Sequence, residues 1–134
     1  MISMGDMKSM VLDKHPQRGD TGKLAGKKFI GYWKSKYDPG LPDVNDFVDE
    51  TWTNGIERIV VTDYLSRGEE ISRARGMSNC RVCGKMNGST EMTDGEYVWP
   101  EGLAHYVRDH SVRPPSDLIE KALAAANNTK KEKE

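Results

Sequence analysis

The chain has 134 residues, with 20 Lys and Arg against 21 Asp and Glu, two cysteines and three histidines. That length fits one domain rather than two full cores, and a formal charge of -1 gives no bulk attraction to nucleic acid or an anionic membrane. No stretch is apolar for the roughly 18 residues a membrane helix needs, and two cysteines cannot make the disulfide framework of a small secreted domain.

The opening residues MISMGDMKSM lack the unbroken apolar run of a signal peptide, so a cytoplasmic protein with no membrane partner is expected. Met1, Met4, Met7 and Met10 recur every third residue, as on one helical face, but a loose leader is the simpler reading. Pro16, Gly19, Gly22 and Gly26 keep the following stretch flexible. The expected organisation is a flexible leader over 1–27, a single domain over 28–126 and a charged flexible tail over 127–134.

Apolar and aromatic residues begin at Phe29-Ile30-Gly31-Tyr32-Trp33, and Asp38-Pro39-Gly40-Leu41-Pro42 forbids a continuing helix. Phe47, Val48 and Trp52 lie among acids and should cover the core while the acids face water. A helix is predicted over about 54–67. Asn54 and Glu57 approximate a capping box, Ile56, Ile59, Val60 and Tyr64 form the apolar stripe, Val61 and Leu65 widen it, and Gly68 ends it. Residues 70–75 read as a short strand. Residues 90–93 and 96–99 read as a hairpin about the turn Asp94-Gly95, with Tyr97 and Trp99 on one face. Pro100 is expected to begin a second helix carrying Leu103 to Val107 and His110. Pro114 and Pro115 stop it, and a last helix follows with Leu118, Ile119, Ala122 and Leu123 on one side.

The strongest chemical pattern is Cys80-x2-Cys83 followed by His105-x4-His110. Two thiolates that close can point into one tight turn, and Gly84 supplies the backbone freedom such a turn needs. Two Cys and two His match structural zinc ligation. The gap between the pairs has room for the hairpin. The expected fold is therefore a small α+β domain of zinc knuckle, β-hairpin and helix, treble-clef-like or an expanded ββα finger, with the zinc module at about 71–113. A lone C-x2-C is weaker, since it also serves as a redox pair, and two reduced core cysteines with surface histidines are a third possibility. Asp109 could orient a ligand; His15, in the leader, is left outside the site. Four protein ligands close a tetrahedral ion, whereas catalytic zinc keeps a position for water. No glutamate sits between the histidines as a general base, and Glu101 suits helix N-terminal electrostatics. One structural Zn2+ and no catalytic residue are expected.

The stretch Cys80-Arg81-Val82-Cys83-Gly84, Asn87-Gly88-Ser89, Thr93-Asp94-Gly95, Tyr97 through Val107, His110 and Val112-Arg113-Pro114-Pro115 resembles a group of small bacterial proteins with a CRxCG…TDGxYxWPEGLAHYVxxHxVRxP zinc-finger-like motif. Phe29 to Trp33, Pro42, Phe47-Val48-Asp49, Trp52 and Tyr64-Leu65 are similar to the same group's upstream half, so the likeness spans roughly 28–120. That group has no established activity. The resemblance implies only that the two Cys and two His belong to one module.

Charge is uneven: residues 31–70 hold four Lys/Arg against nine Asp/Glu, while 71–90 hold Arg73, Arg75, Arg81 and Lys85 with no acid. Arg108 and Arg113 would extend this patch. Either the acidic half covers the basic half, or the patch contacts nucleic acid, each neutralised phosphate adding salt dependence. The aromatic residues are expected chiefly in the core. Asp43, Asp46 and Asp49, three apart, read as a solvated helix face rather than a second metal site. The leading functional expectation is a zinc-stabilised module that binds another protein or regulates one. A nucleic-acid-associated zinc protein is the alternative, and a metal-dependent hydrolase the third.

Overall fold

We describe the protein from a computed structural model, which defines residues 9–16, 19, 21–36, 38–53 and 55–132; for 73–78 and 128–132 only the backbone is described. These residues form a small α+β domain with a mixed sheet and three α-helices. The strands are β1 (Lys28–Phe29), β2 (Glu69–Asn79), β3 (Met86–Thr93) and β4 (Tyr97–Pro100); the helices are α1 (Gly55–Ser66), α2 (Leu103–His110) and α3 (Ser116–Glu132). Sheet order is β1-β4-β3-β2, with β1 parallel to β4 and the other pairs antiparallel.

The predicted hairpin is β3–β4, and its turn is built by side chains. Asp94 Oδ1 accepts from the amides of Glu96 at 2.9 Å and Tyr97 at 2.8 Å, and Gly95 takes φ 101°, a conformation open to glycine. Tyr97 and Trp99 share one face and are buried with all three helices, while Val98 points to the other face, against Phe29 and Leu24. Both faces of β4 are therefore covered. Trp99 is fully buried, and its indole N–H donates to the Leu65 carbonyl at 3.1 Å.

Four expectations are corrected. The stripe on α1 is turned: Val61 and Leu65 are buried, while Ile56 and Ile59 are 77% and 69% exposed. Apolar residues lie on both sides of this helix, so periodicity alone could not choose the buried one. Pro100 ends strand β4 opposite Glu91 instead of starting a helix; the next bond to β3 comes from Glu101 N–H on the Thr90 carbonyl at 2.8 Å, so the missing proline N–H leaves that ladder intact. The packed unit also reaches upstream of residue 28. Met10 and Leu24 are buried, and His15, buried too, meets Glu91 Oε2 at 2.6 Å. Leu12 exchanges backbone hydrogen bonds with Phe29 at 2.8 and 2.9 Å. Finally, α3 continues to Glu132, through most of the expected tail. Asn54, the expected cap, and Tyr37 lie outside the described residues.

Asp94 also ties α3 to the hairpin: its Oδ2 accepts from Tyr64 Oη at 2.6 Å and meets Lys121 Nζ at 2.8 Å. Burial pushes the Asp94 carboxyl up, but hydrogen bonds from Lys121, Tyr64 and the turn amides outweigh it and hold it below the ordinary carboxylate range. Burial and the adjacent carboxylate push Tyr64 up to about 12. Burial lowers Lys121, but its bonds to Asp94 and Glu96 prevail and raise it. The Asp94 contribution to stability is thus present above about pH 4, the unfolded carboxylate value, and is lost as pH falls through its lowered folded value. Those of Tyr64 and Lys121 are present below about pH 10 and fade above it. Asp94→Asn should cost about 1–3 kcal/mol at neutral pH, and the cost should shrink in acid. Urea melts of both proteins at pH 7 test this; equal midpoints would refute it.

Candidate metal centre

Cys80 directly follows β2, and Cys83 lies in the turn leading to β3. The turn is closed by Gly84 N–H on the Cys80 carbonyl at 2.9 Å and by Cys80 N–H on the Lys85 carbonyl at 2.8 Å. Gly84 has φ 77°, as the C-x2-C-G pattern anticipates. The amides of Val82 and Cys83 point at Cys80 Sγ, at 3.4 and 3.5 Å. Tyr106 on α2 secures the turn from beneath, its hydroxyl accepting from Arg81 N–H at 2.7 Å. Cys80 is buried, Cys83 exposed, and both are free thiols.

His105 lies in the first turn of α2 and His110 is its last residue. Residues five apart on a regular helix diverge, since one turn takes 3.6 residues. The end of α2 is reshaped: Ser111 takes a left-handed φ of 55°, and its N–H and that of Val112 both reach the Tyr106 carbonyl. The acidic segment supports this bend. Asp49 N–H donates to the Ser111 carbonyl, and Arg113 N–H to the Phe47 carbonyl, each at 2.9 Å. The two imidazoles then meet edge to face, Nε2 to Nε2 at 3.2 Å, and His105 Nε2 lies 3.4 Å from Cys83 Sγ. One donor atom from each of Cys80, Cys83, His105 and His110 falls within 4.8 Å of the others, close enough to bind one metal ion.

Asp109 Oδ2 meets His105 Nδ1 at 3.0 Å, fixing the ring with Nε2 toward the other donors. Its other oxygen accepts from Arg108 at 2.9 Å. So Asp109 partners His105 rather than its neighbour His110. Burial lowers His105, with Asp109 acting in the opposite sense. A neutral ring is the form that ligates.

Among the described residues no other group of Cys, His and acids has this geometry. Asp43 caps the amide of Asn45, and Asp49 binds Thr51 and Arg113, so the three acids spaced by three are not gathered. Only Asp46 lies within the 3-10 turn Val44–Phe47, which Asp43 caps, and Asp49 lies beyond it. Glu101 braces β3 by accepting from the amides of Ser89 and Thr90 at 2.6 and 3.0 Å. Of the expected cationic face, four side chains are described with neighbours as follows. Arg81 donates to the Asn79 carbonyl, Arg108 pairs with Asp109 and Arg113 with Asp49, Lys85 lies in the cysteine turn, and the side chains of Arg73 and Arg75 are outside the described set. Sequence reasoning missed the roles of Tyr106 and Ser111, and neither leaves a signal in spacing. No protein-family model matches the chain, and neither does any curated protein or solved structure.

Proposed function

We propose that Cys80, Cys83, His105 and His110 hold one zinc ion as a closed structural site, and that the protein works as a zinc-stabilised interaction or regulatory module. The convergence of four donors of the right chemistry carries the reading. Zinc bonds of about 2.3 Å to sulfur and 2.0–2.1 Å to nitrogen give tetrahedral edges of about 3.3–3.8 Å. The spacings of 3.2 and 3.4 Å at His105 sit beside that range. The amides of Val82 and Cys83 aim at Cys80 Sγ, and the turn, hairpin and helix follow one another as in a treble clef. Thiols kept for a metal fit a reducing, cytoplasmic setting. With all four positions filled by protein, water has no place on the ion, which argues against hydrolysis. The resemblance to the bacterial group fits, since it brings the same four residues into one motif.

The partner surface fits protein better than nucleic acid. Val82 and Met86 are exposed at 47% and 66% in and beside the cysteine turn, whereas Arg108 and Arg113 already pair with acids of the chain. Nucleic-acid contact through 71–90 is the second reading, tested by retention on a polynucleotide column at low salt.

Metal analysis of untagged protein should return one zinc per chain. Asp109→Asn should keep the fold and weaken zinc binding about 10- to 100-fold in a competition titration. A folded protein that takes up no zinc would overturn the metal reading. Co-purification from the native host then separates a protein partner from a nucleic acid.

A further inference from the structure

The two cysteines differ in exposure although they share one turn. Cys80 is buried and Cys83 exposed, and their sulfurs lie within 4.8 Å of each other. The turn that holds them is closed by Gly84 N–H on the Cys80 carbonyl at 2.9 Å, so neither a helix nor a strand has to move for the sulfurs to meet. The histidines belong to α2 instead. The four donors thus divide into a pair that can bond to each other and a pair that cannot.

Zinc is held by thiolate sulfur, and a disulfide has none to offer. Joining the cysteines would leave two imidazoles on an ion that structural sites hold with four ligands. Redox-sensing cysteines pair an accessible sulfur with a resolving one beside it. Cys83 has the first property and Cys80 the second. Met86, at the start of β3, is 66% exposed, so an oxidant in solution reaches this end of the hairpin.

We propose that hydrogen peroxide regulates the metal centre by closing a Cys80–Cys83 disulfide and expelling the zinc. The inference rests on the zinc reading above. The Cys83 thiolate attacks one peroxide oxygen, the O–O bond breaks, and the other oxygen takes a proton from solvent and leaves as water. The Cys80 thiolate then attacks the sulfur of the sulfenic acid so formed. The S–S bond forms, the S–O bond breaks, and the oxygen leaves with a second proton as water. Two electrons pass from the cysteine pair to the peroxide, and Zn2+ departs from the two histidines. A dithiol reductant reverses the step by thiol–disulfide exchange. With the ion gone, the tie between the turn and α2 falls to protein contacts such as the Tyr106 hydroxyl on Arg81 N–H at 2.7 Å.

The test treats full-length, zinc-loaded protein with hydrogen peroxide beside a chromophoric zinc indicator, while intact mass and free thiols are followed. Metal analysis beforehand shows any failure of the zinc reading before oxidant is added. The expected result is one zinc released for each chain that loses the mass of two hydrogens, with both thiols lost together. Peptide mapping should place the bond between Cys80 and Cys83, and dithiothreitol should restore the thiols and zinc uptake. Sulfoxide formation at Met86 gauges the oxidant dose on the same hairpin. Cys83→Ser should form no disulfide within the chain; should that variant fail to fold, the mapping of the parent chain still decides. The proposal is overturned if zinc and both thiols survive a dose that oxidises Met86, or if zinc leaves with oxygen added to the cysteines or with chains joined to one another. It is overturned equally if the sulfurs pair while zinc stays. A disulfide in a chain that never held zinc would make the cysteines a plain redox pair and sink the switch.

Discussion

A Cys80→Ser chain should lose the cooperative thermal transition of the parent protein, or show it lowered by tens of degrees. A domain of this size has about 5–15 kcal/mol of stability in total. A structural zinc in a small module supplies about 10 kcal/mol or more of apparent folding free energy at neutral pH. The two quantities are of the same order, so losing a zinc held by these four residues would remove most of the margin. The four residues come from two places, the β2–β3 turn and helix α2, so an ion held by them would cross-link the hairpin and the helix. Without it, the exposed Cys83 and the half-buried histidines have little apolar burial to hold them together. Cys80 is also buried, so its replacement loses packing besides the metal. Cys83→Ser should therefore be slightly milder. Strong chelator should destabilise the parent by a similar amount and do nothing further to Cys80→Ser. Calorimetry of the four combinations checks this. An unchanged transition in chelator would leave the cysteines as a redox pair or plain reduced residues.

Trp99→Ala should cost about 3–5 kcal/mol, the usual range for emptying a large aromatic site in a core. Trp99 is fully buried at the centre of the main cluster and stacks on Tyr64 at 6.4 Å. Its environment cannot easily collapse. Gly68 packs so closely that a Cβ there would lie 2.7 Å from Trp99 Cζ2. Trp99→Phe keeps a ring but leaves the Leu65 carbonyl without its indole donor, for about 1–3 kcal/mol. Denaturant unfolding with zinc held saturating isolates this term from the metal. Similar costs for the two variants would mean that the hydrogen bond outweighs the volume, against the packing described.

Much of the site was legible because its signals are local. Cys80-x2-Cys83-Gly84 closes a turn within five residues, and Asp94-Gly95 specifies the hairpin by side-chain capping of its own backbone. The histidine pair was legible in spacing, although its convergence depends on Ser111, a residue type with no special claim to left-handed backbone. What escaped depends on distant chain. The pairing of β1 with β4 joins residues far apart through two short segments, and neither advertises a partner. Met10 and His15 pack because a sheet face and Glu91 await them, which a stretch rich in glycine and proline conceals. The orientation of α1 was undetermined because Ile56 and Ile59 are as apolar as Val61 and Leu65. Burial there is decided by what lies opposite, namely Trp99 and α3.

The Leu12–Phe29 backbone exchange has a bearing on aggregation. Strand β1 is the outer strand of the sheet, and Phe29 has β4 on one side only. On the other side its N–H and C=O are occupied by Leu12. An uncovered outer strand is a template for another chain, and natural sheets protect such edges. Leu12, in the stretch that the sequence suggests is a flexible leader, thus covers the sheet's rim at Phe29. A shortened protein beginning at Lys28 would keep Cys80, Cys83, His105 and His110 but bare this edge, inviting strand addition between copies.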